Sequence, residues 1–186
     1  MKTNVIIIDD FYSNVDGVRS FALSQEFNIT GNYPGSRTKS FLTQEIKDVI
    51  QSSIQLPGGN VTDWFETDGF SGSFQLTTAS DRSWIHTDHF NTWAGVCYLT
   101  PDAPHSGGTG LFRHKATGAT KLGELPKDAS YESQDMTKWD LIDTIGNRYN
   151  RLVLYRGDMF HSSLDYFGSS PQDGRLFQLF FFSTQY

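Results

Sequence analysis

Arg151-Leu-Val-Leu-Tyr-Arg156, then Gly157-Asp158, then Met159-Phe160-His161 is the run from which the architecture can be worked out. The first six residues hold four apolar side chains between two arginines, a length that suits a buried strand and not a helix. Gly157-Asp158 is turn chemistry. Met159-Phe160-His161 then returns the chain, with a histidine, to an apolar setting. A polar turn, Gly168-Ser-Ser-Pro-Gln-Asp-Gly174, leads into Arg175-Leu-Phe-Gln-Leu-Phe-Phe-Phe-Ser183, which reads as a last buried strand.

Working backward, the same character of short strands between turns extends to about residue 60. Gly72 to Thr78, Trp84 to Asp88, Ala94 to Thr100 and Gly110 to Phe112 are the clearest. Between Lys115 and Asn150 a polar stretch interrupts them; it carries a short helical candidate around Thr137 to Ile145 and reads as an insertion or lid. The N-terminal part differs. Asn4 to Ile8 is β-branched and reads as a strand, whereas Val15, Val18, Phe21 and Ala22 recur at helical spacing and predict a helix from Asn14 to Gln25. After the loop Gly31 to Gly35, a second helix is predicted from Thr43, as N-cap, to Ile54, with Leu56-Pro57-Gly58-Gly59 stopping it. One domain is expected over residues 1–186, with 1–60 a helical support and 70–183 a β core. Helices followed by many strands predict a mainly β fold, a sandwich or jelly roll with helices packed outside.

Composition agrees. The 186 residues include 15 Phe, 8 Tyr and 17 Gly, and bulky aromatics with many turn formers favour sheets. The net charge of −6 makes duplex nucleic acid a poor partner. Cys97 is the only cysteine, so no internal disulfide can form. Val5-Ile6-Ile7-Ile8 ends in Asp9-Asp10 and is too short for a signal peptide or a membrane span. A soluble, cytoplasmic protein is expected.

Five histidines carry the candidate chemistry: His86, His89, His105, His114 and His161. On a strand, residues i and i+2 share a face, so His86 and Asp88 would point the same way. A histidine from a distant strand, His161, completes two imidazoles and one carboxylate. That donor set leaves open positions on an octahedral ion and suits Fe(II) engaged in oxygen chemistry. Taken alone, a His-x-Asp pair is as well explained by a surface histidine beside a turn aspartate. Arg175 adds weight, because an arginine opening an apolar strand is costly unless it meets an anion, and its planar fork suits a dicarboxylic cosubstrate. The competing explanation is a strand-end arginine reaching solvent.

His86-Thr87-Asp88, His161 and Arg175 in this order resemble the 2-oxoglutarate/Fe(II)-dependent dioxygenase superfamily. Tyr98-Leu99 followed by Ser106-Gly-Gly-Thr-Gly-Leu-Phe112, and Tyr149 to His161, are similar to segments of its prolyl 4-hydroxylase-like branch. The resemblance covers roughly residues 70–183. It implies a double-stranded β-helix (jelly roll), iron on His86, Asp88 and His161, and Arg175 holding the far carboxylate of 2-oxoglutarate. It also implies use of dioxygen, with hydroxylation of a C–H bond in a small-molecule or peptidyl substrate and release of succinate and carbon dioxide. Some relatives place Ser two residues after the arginine, where this chain has Phe177, so another group must help; Tyr98 is the first candidate, with Gln75 and Thr77 behind it.

Asp88 fills the place that a halogenating relative needs for halide, which favours hydroxylation. Trp84, Trp93 and Trp139 either wall the substrate site or pack the core. His89 should alternate away from the metal and His105 should be solvated, while His114 either lines the pocket or closes an exposed strand end. Two rival readings remain: a cupin-type metalloenzyme with no need of Arg175, and a non-catalytic jelly roll that binds sugar or protein.

Overall fold

Side-chain parity along three adjacent strands sorts the core into layers. In β5 (Trp93–Tyr98), β8 (Leu152–Arg156) and β10 (Arg175–Gln185) nearly every residue is buried, so the two faces of each strand serve two different cores. Trp93, Cys97, Leu152, Leu154, Phe180 and Phe182 point to one side and meet Ala22, Ile50 and Ile54 from the two helices. Ala94, Val96, Tyr98, Val153, Tyr155, Phe177, Leu179 and Phe181 point to the other side and meet Leu111 and Ile145. A third cluster of Ile85, Phe112, Ala119, Trp139 and Phe160 completes the packing. Each Phe or Leu so buried contributes roughly 1.5–3 kcal/mol.

The computed structural model describes residues 3–127 and 132–185, with the side chains of 56–58 left aside. One antiparallel sheet has the order β1-β8-β5-β10-β4-β2, where β1 is Val5–Ile8, β2 Ser36–Ser40 and β4 Ser73–Thr77. A short β3 (Asn60–Asp63) pairs with the far end of β10. The facing sheet is β7-β6-β9, formed by Trp139–Ile145, Thr109–His114 and His161–Ser163. His86 extends it through a single bridge to His161. This is a jelly roll, mainly β, with helices against the outer face of its larger sheet.

Both helices form where the apolar spacing predicts. In α1 (Val15–Leu23) the Asn14 side chain caps the amide of Gly17 at 3.1 Å, and in α2 (Gln44–Gly58) Thr43 caps Ile46 at 3.3 Å. Gly59, at φ 79°, ends α2.

Three expectations need correction. The helical candidate around Thr137 to Ile145 is a strand beyond its start: a 3-10 turn spans Met136–Lys138, then β7 pairs along β6 and leaves Leu141 and Ile142 50% and 40% exposed. Within the expected insertion, β7 is thus part of the smaller sheet, and residues 128–131 lie outside the described residues. Trp84 to Asp88 runs beside β9 but makes one bridge instead of a ladder. Finally, β2 and β3 are too polar for hydrophobic alternation to reveal them.

Candidate active site

His86, Asp88 and His161 converge. Each presents one ligand atom, and those atoms lie within 4.8 Å of one another. The backbone arranges this: His86 and His161 exchange both amide hydrogen bonds, at 3.0 and 2.9 Å, which sets their rings side by side with centroids 4.4 Å apart. Asp88 is held from the turn after β8, where its amide donates to Gly157 O at 2.7 Å. Gly157 has no substitute there, because a Cβ would fall 2.5 Å from Asn91 O and 2.6 Å from Asp88 O.

The ring nitrogens are oriented too. Nδ1 of His86 lies 3.0 Å from Trp84 O, and Nδ1 of His161 lies 2.9 Å from Met159 O. A carbonyl only accepts, so each Nδ1 carries a proton, which leaves each Nε2 as the ligand atom that can face the cluster. Nε2 of His161 then stands 3.2 Å from Asp88 Oδ2. At that distance a proton on Nε2 can bridge the two groups as a hydrogen bond, and a divalent metal can take the proton's place, because two imidazoles plus one carboxylate is a metal donor set. Burial, followed by the proximity of His161, pulls the His86 pKa down to about 4, so at neutral pH it is the uncharged form that a metal needs. For Asp88, burial pushes upward, but hydrogen bonding and charge from His161 outweigh it and hold the carboxyl below its ordinary value.

A cavity of about 280 Å³ opens onto this cluster. That is near the small end of ligand pockets, which run from roughly 300 to 1,000 Å³. Trp84, Gln75, Thr109, Tyr155 and Phe177 are among its lining residues.

Arg175 lies just behind that wall. It is 1% exposed. Its Nε donates to Gly107 O at 2.9 Å and its Nη2 approaches Gly108 O at 3.5 Å, while Nη1 has no partner among the described residues. The guanidinium sits against Phe177, 4.4 Å from the ring centroid, and Tyr98 at 5.5 Å. The Tyr98 hydroxyl pairs with Thr109 Oγ1 at 2.7 Å, and Thr109 lines the cavity. A buried guanidinium with one nitrogen unpartnered is chemically suited to an anion.

The family model described as a family of unknown function (DUF6445) matches residues 1–129 and 119–182. The chain belongs to that family. No curated protein matches the sequence. Among solved structures, HygX from Streptomyces hygroscopicus, with nickel and 2-oxoglutarate bound, is similar with a TM-score of 0.63 at 10% identity. That likeness covers 100% of this chain and 84% of HygX. SnoN, a non-heme alpha-ketoglutarate-dependent epimerase from nogalamycin biosynthesis, gives 0.61 at 11% identity, over 98% and 78% of the two chains. A Trichoplax adhaerens prolyl hydroxylase, in complex with a hypoxia-inducible-factor peptide fragment, gives 0.50 at 14%, over 97% and 84%. The DUF6445 chain thus shares the jelly-roll fold of these structures.

The other candidates divide. Trp84 and Gln75 line the cavity, but both ends of the Gln75 amide are taken: Oε1 accepts from Arg37 Nε at 2.8 Å, and Nε2 donates to Pro34 O at 2.6 Å. Thr77 bonds back to Arg175 O at 3.4 Å. Trp93 and Trp139 do not line the cavity. Strand parity turns Trp93 toward the helices, where Arg156 stacks on it, and Trp139 packs against Phe160 and His114. His114 is buried by that contact and is neither pocket lining nor an exposed strand end. His89 and His105 are exposed, as expected.

Two residues that the sequence did not single out stand in the cavity wall. Tyr155 stacks 4.4 Å from His161, its hydroxyl held protonated by burial and then by the Asp88 charge. Arg37 also lines the cavity, on a strand whose Ser-Arg-Thr-Lys-Ser sequence gives little sign of burial. Among the described residues no helix is long and apolar enough to cross a membrane.

Proposed function

We propose that this DUF6445 protein is an Fe(II)- and 2-oxoglutarate-dependent oxygenase of hydroxylase type, acting on a small-molecule or peptidyl substrate. The observation that carries the reading is the convergence of three ligand atoms from His86, Asp88 and His161 at one end of a cavity. The unpartnered Arg175 Nη1 behind Tyr98 and Thr109 supports it. His86, Asp88 and His161 would hold the metal; Arg175 would hold the far carboxylate of 2-oxoglutarate, with Tyr98 beside it. When bound, those two groups would, with dioxygen as the oxidant, supply hydroxylation of a C–H bond coupled to conversion of 2-oxoglutarate into succinate and carbon dioxide, one oxygen atom going to succinate and the other to the hydroxylated product.

The chain's own residues do the positioning. Trp84 O and Met159 O fix the two imidazoles in the tautomer that aims Nε2 inward. Asp88, kept ionised, supplies the anionic ligand and occupies the position a halide would need, which favours hydroxylation. Phe177, Leu179, Phe181 and Val96 give the cavity a dry wall, which limits access of water to the reacting centre. Finer resemblance to the prolyl 4-hydroxylase-like branch rests on the Tyr98–Phe112 and Tyr149–His161 segments.

Anaerobic titration with Fe(II) and then 2-oxoglutarate, followed by succinate measurement on admitting oxygen, tests the proposal. Wild type should bind both and release succinate; His86→Ala should lose metal binding. Binding of metal without 2-oxoglutarate would favour a cupin-type metalloenzyme, and binding of neither would leave a non-catalytic jelly roll.

A further inference from the structure

The cavity holds a second buried guanidinium that the oxygenase reading leaves without a task. Arg37 is 8% exposed and sits on β2, at the edge of the larger sheet. Its Nε donates to Gln75 Oε1 at 2.8 Å, its Nη1 donates to Gly69 O, and its plane lies over the Tyr33 ring with the central carbon 3.6 Å from the centroid. These contacts fix the group in place. Nη2 has no hydrogen-bond partner among the described residues, and Arg37 has no ion pair there either, although the side chain lines the cavity. The carboxylate in the same cavity wall is Asp88, which the metal claims.

A charge taken out of water without a counter-ion is costly, and burial accordingly pulls the Arg37 pKa down to about 10, leaving it charged at neutral pH. A purely structural tie between β2 and β4 could have been made by a neutral donor. Register separates this cation from the other one: Arg37 pairs with Gln75, which pairs with Phe177, whereas Arg175 pairs with Thr77. Arg175 keeps its idle nitrogen behind Tyr98 and Thr109, while Arg37 faces the cavity among Asn32, Tyr33 and Trp84. Two cations at separate places fit two anions.

We propose that Arg37 recognises the substrate, and that the substrate is a small molecule bearing a carboxylate, met by Arg37 Nη2 within reach of the metal cluster. One committed cation matches one negative charge, so a monoanionic carboxylate fits better than a phosphate dianion. Trp84 and Phe90 give the remainder of such a molecule apolar surface to lie against. This rests on the oxygenase reading, because it takes Arg175 as the site of the cosubstrate.

The test uses protein loaded with diamagnetic Zn(II) and 2-oxoglutarate and measures dissociation constants by ligand-observed NMR. The probes are matched pairs: 3-phenylpropionate against 3-phenylpropionamide, and hexanoate against hexanamide. Wild type should prefer each carboxylate at least tenfold. Arg37→Gln and Arg37→Met, with folding checked by circular dichroism, should bring the ratio close to one while the 2-oxoglutarate constant stays within twofold. Arg37→Lys should keep part of the preference. A wild type without preference, or neutral variants that retain it, overturns the inference and leaves the oxygenase reading standing. A tenfold loss of 2-oxoglutarate affinity in Arg37→Gln also overturns it, by making Arg37 a cosubstrate ligand. Failure of Zn(II) and 2-oxoglutarate to bind at all overturns both.

Discussion

The Arg175 guanidinium, at 1% exposure and with Nη1 unpartnered among the described residues, is costly to the folded chain by itself. Replacing Arg175 by leucine should therefore leave the melting temperature of the metal-free protein unchanged or higher, since apolar replacements of buried charges are often neutral or stabilising by roughly 1–4 kcal/mol. The same change should weaken 2-oxoglutarate binding by about 10- to 100-fold, the worth of a charge-assisted hydrogen bond of ~1.5–3 kcal/mol. Calorimetric titration of the Zn(II) form and a thermal melt check the two halves; undiminished cosubstrate affinity would remove Arg175 from the site. At this scale the sequence was informative wherever a residue was out of place in its surroundings. Arg175 opens an apolar strand, and His161 ends an apolar run, so both drew notice. Arg37 stands among Ser, Thr and Lys, where an arginine is unremarkable, and only its burial beneath Tyr33 and Gln75 sets it apart. The tryptophans misled for the complementary reason: a large ring suits a pocket wall and a core equally well, and it is the parity of Trp93 along β5 that turns it to the helices while Trp84, outside the strands, lines the cavity.

The elements that carry the cluster are joined by short connections, and the turn after β8 is the tightest of them. Gly157 lies under the backbone of Asp88 and Asn91, and its amide donates to Thr92 O at 3.0 Å. Gly157→Ala should push this turn away from Asp88, at a cost of about 1–3 kcal/mol typical of overpacking. Metal affinity should fall more than stability does, because Asp88 is the group displaced. Comparison of Zn(II) binding with urea unfolding decides the matter; a loss of stability with unchanged metal binding would mean that Asp88 follows the turn or is not a ligand. Elements with apolar alternation or helical spacing were legible, from β1 and the two helices through β4, β5, β8 and β10. What escaped were strands whose character comes from their neighbours. β7 exposes Leu141 and Ile142 and looks helical until β6 pairs with it, and β2 is recognisable only once Gln75 and Gly69 satisfy Arg37.

For the molecule as a whole, the cluster links stability to protons, and on the proposed function it would link metal binding to them as well. The folded chain keeps His86 neutral down to about pH 4, because burial and then His161 oppose its charge, while in the unfolded chain it titrates near its model value of 6.5. Between those values the unfolded state binds more protons, so folding stability must rise with pH there and be lost as pH falls from about 6.5 toward 4. The Asp88 contribution has the same sense but lies lower, being present above its unfolded value near 3.8 and lost as pH drops through the lower folded one. The two windows therefore separate. Urea unfolding of the metal-free protein at a series of pH values should show wild type losing up to ~3 kcal/mol more than His86→Gln between pH 6.5 and 4, as expected from a proton-linked shift of this size. Parallel curves for the two proteins would mean that His86 is not held neutral by its surroundings. His89, His105 and His114 are present in both proteins and cancel in the difference, whereas His161 is coupled to His86, so the slope reports that pair. A net charge of −6 at neutral pH is likewise common to both as a background that diminishes as the carboxylates protonate, except for the charge His86 itself gains. A metal that selects the neutral imidazole and ionised carboxylate should add its binding energy to the same folded state, so saturating Zn(II) should raise the wild-type curve and leave that of His86→Gln close to its metal-free position.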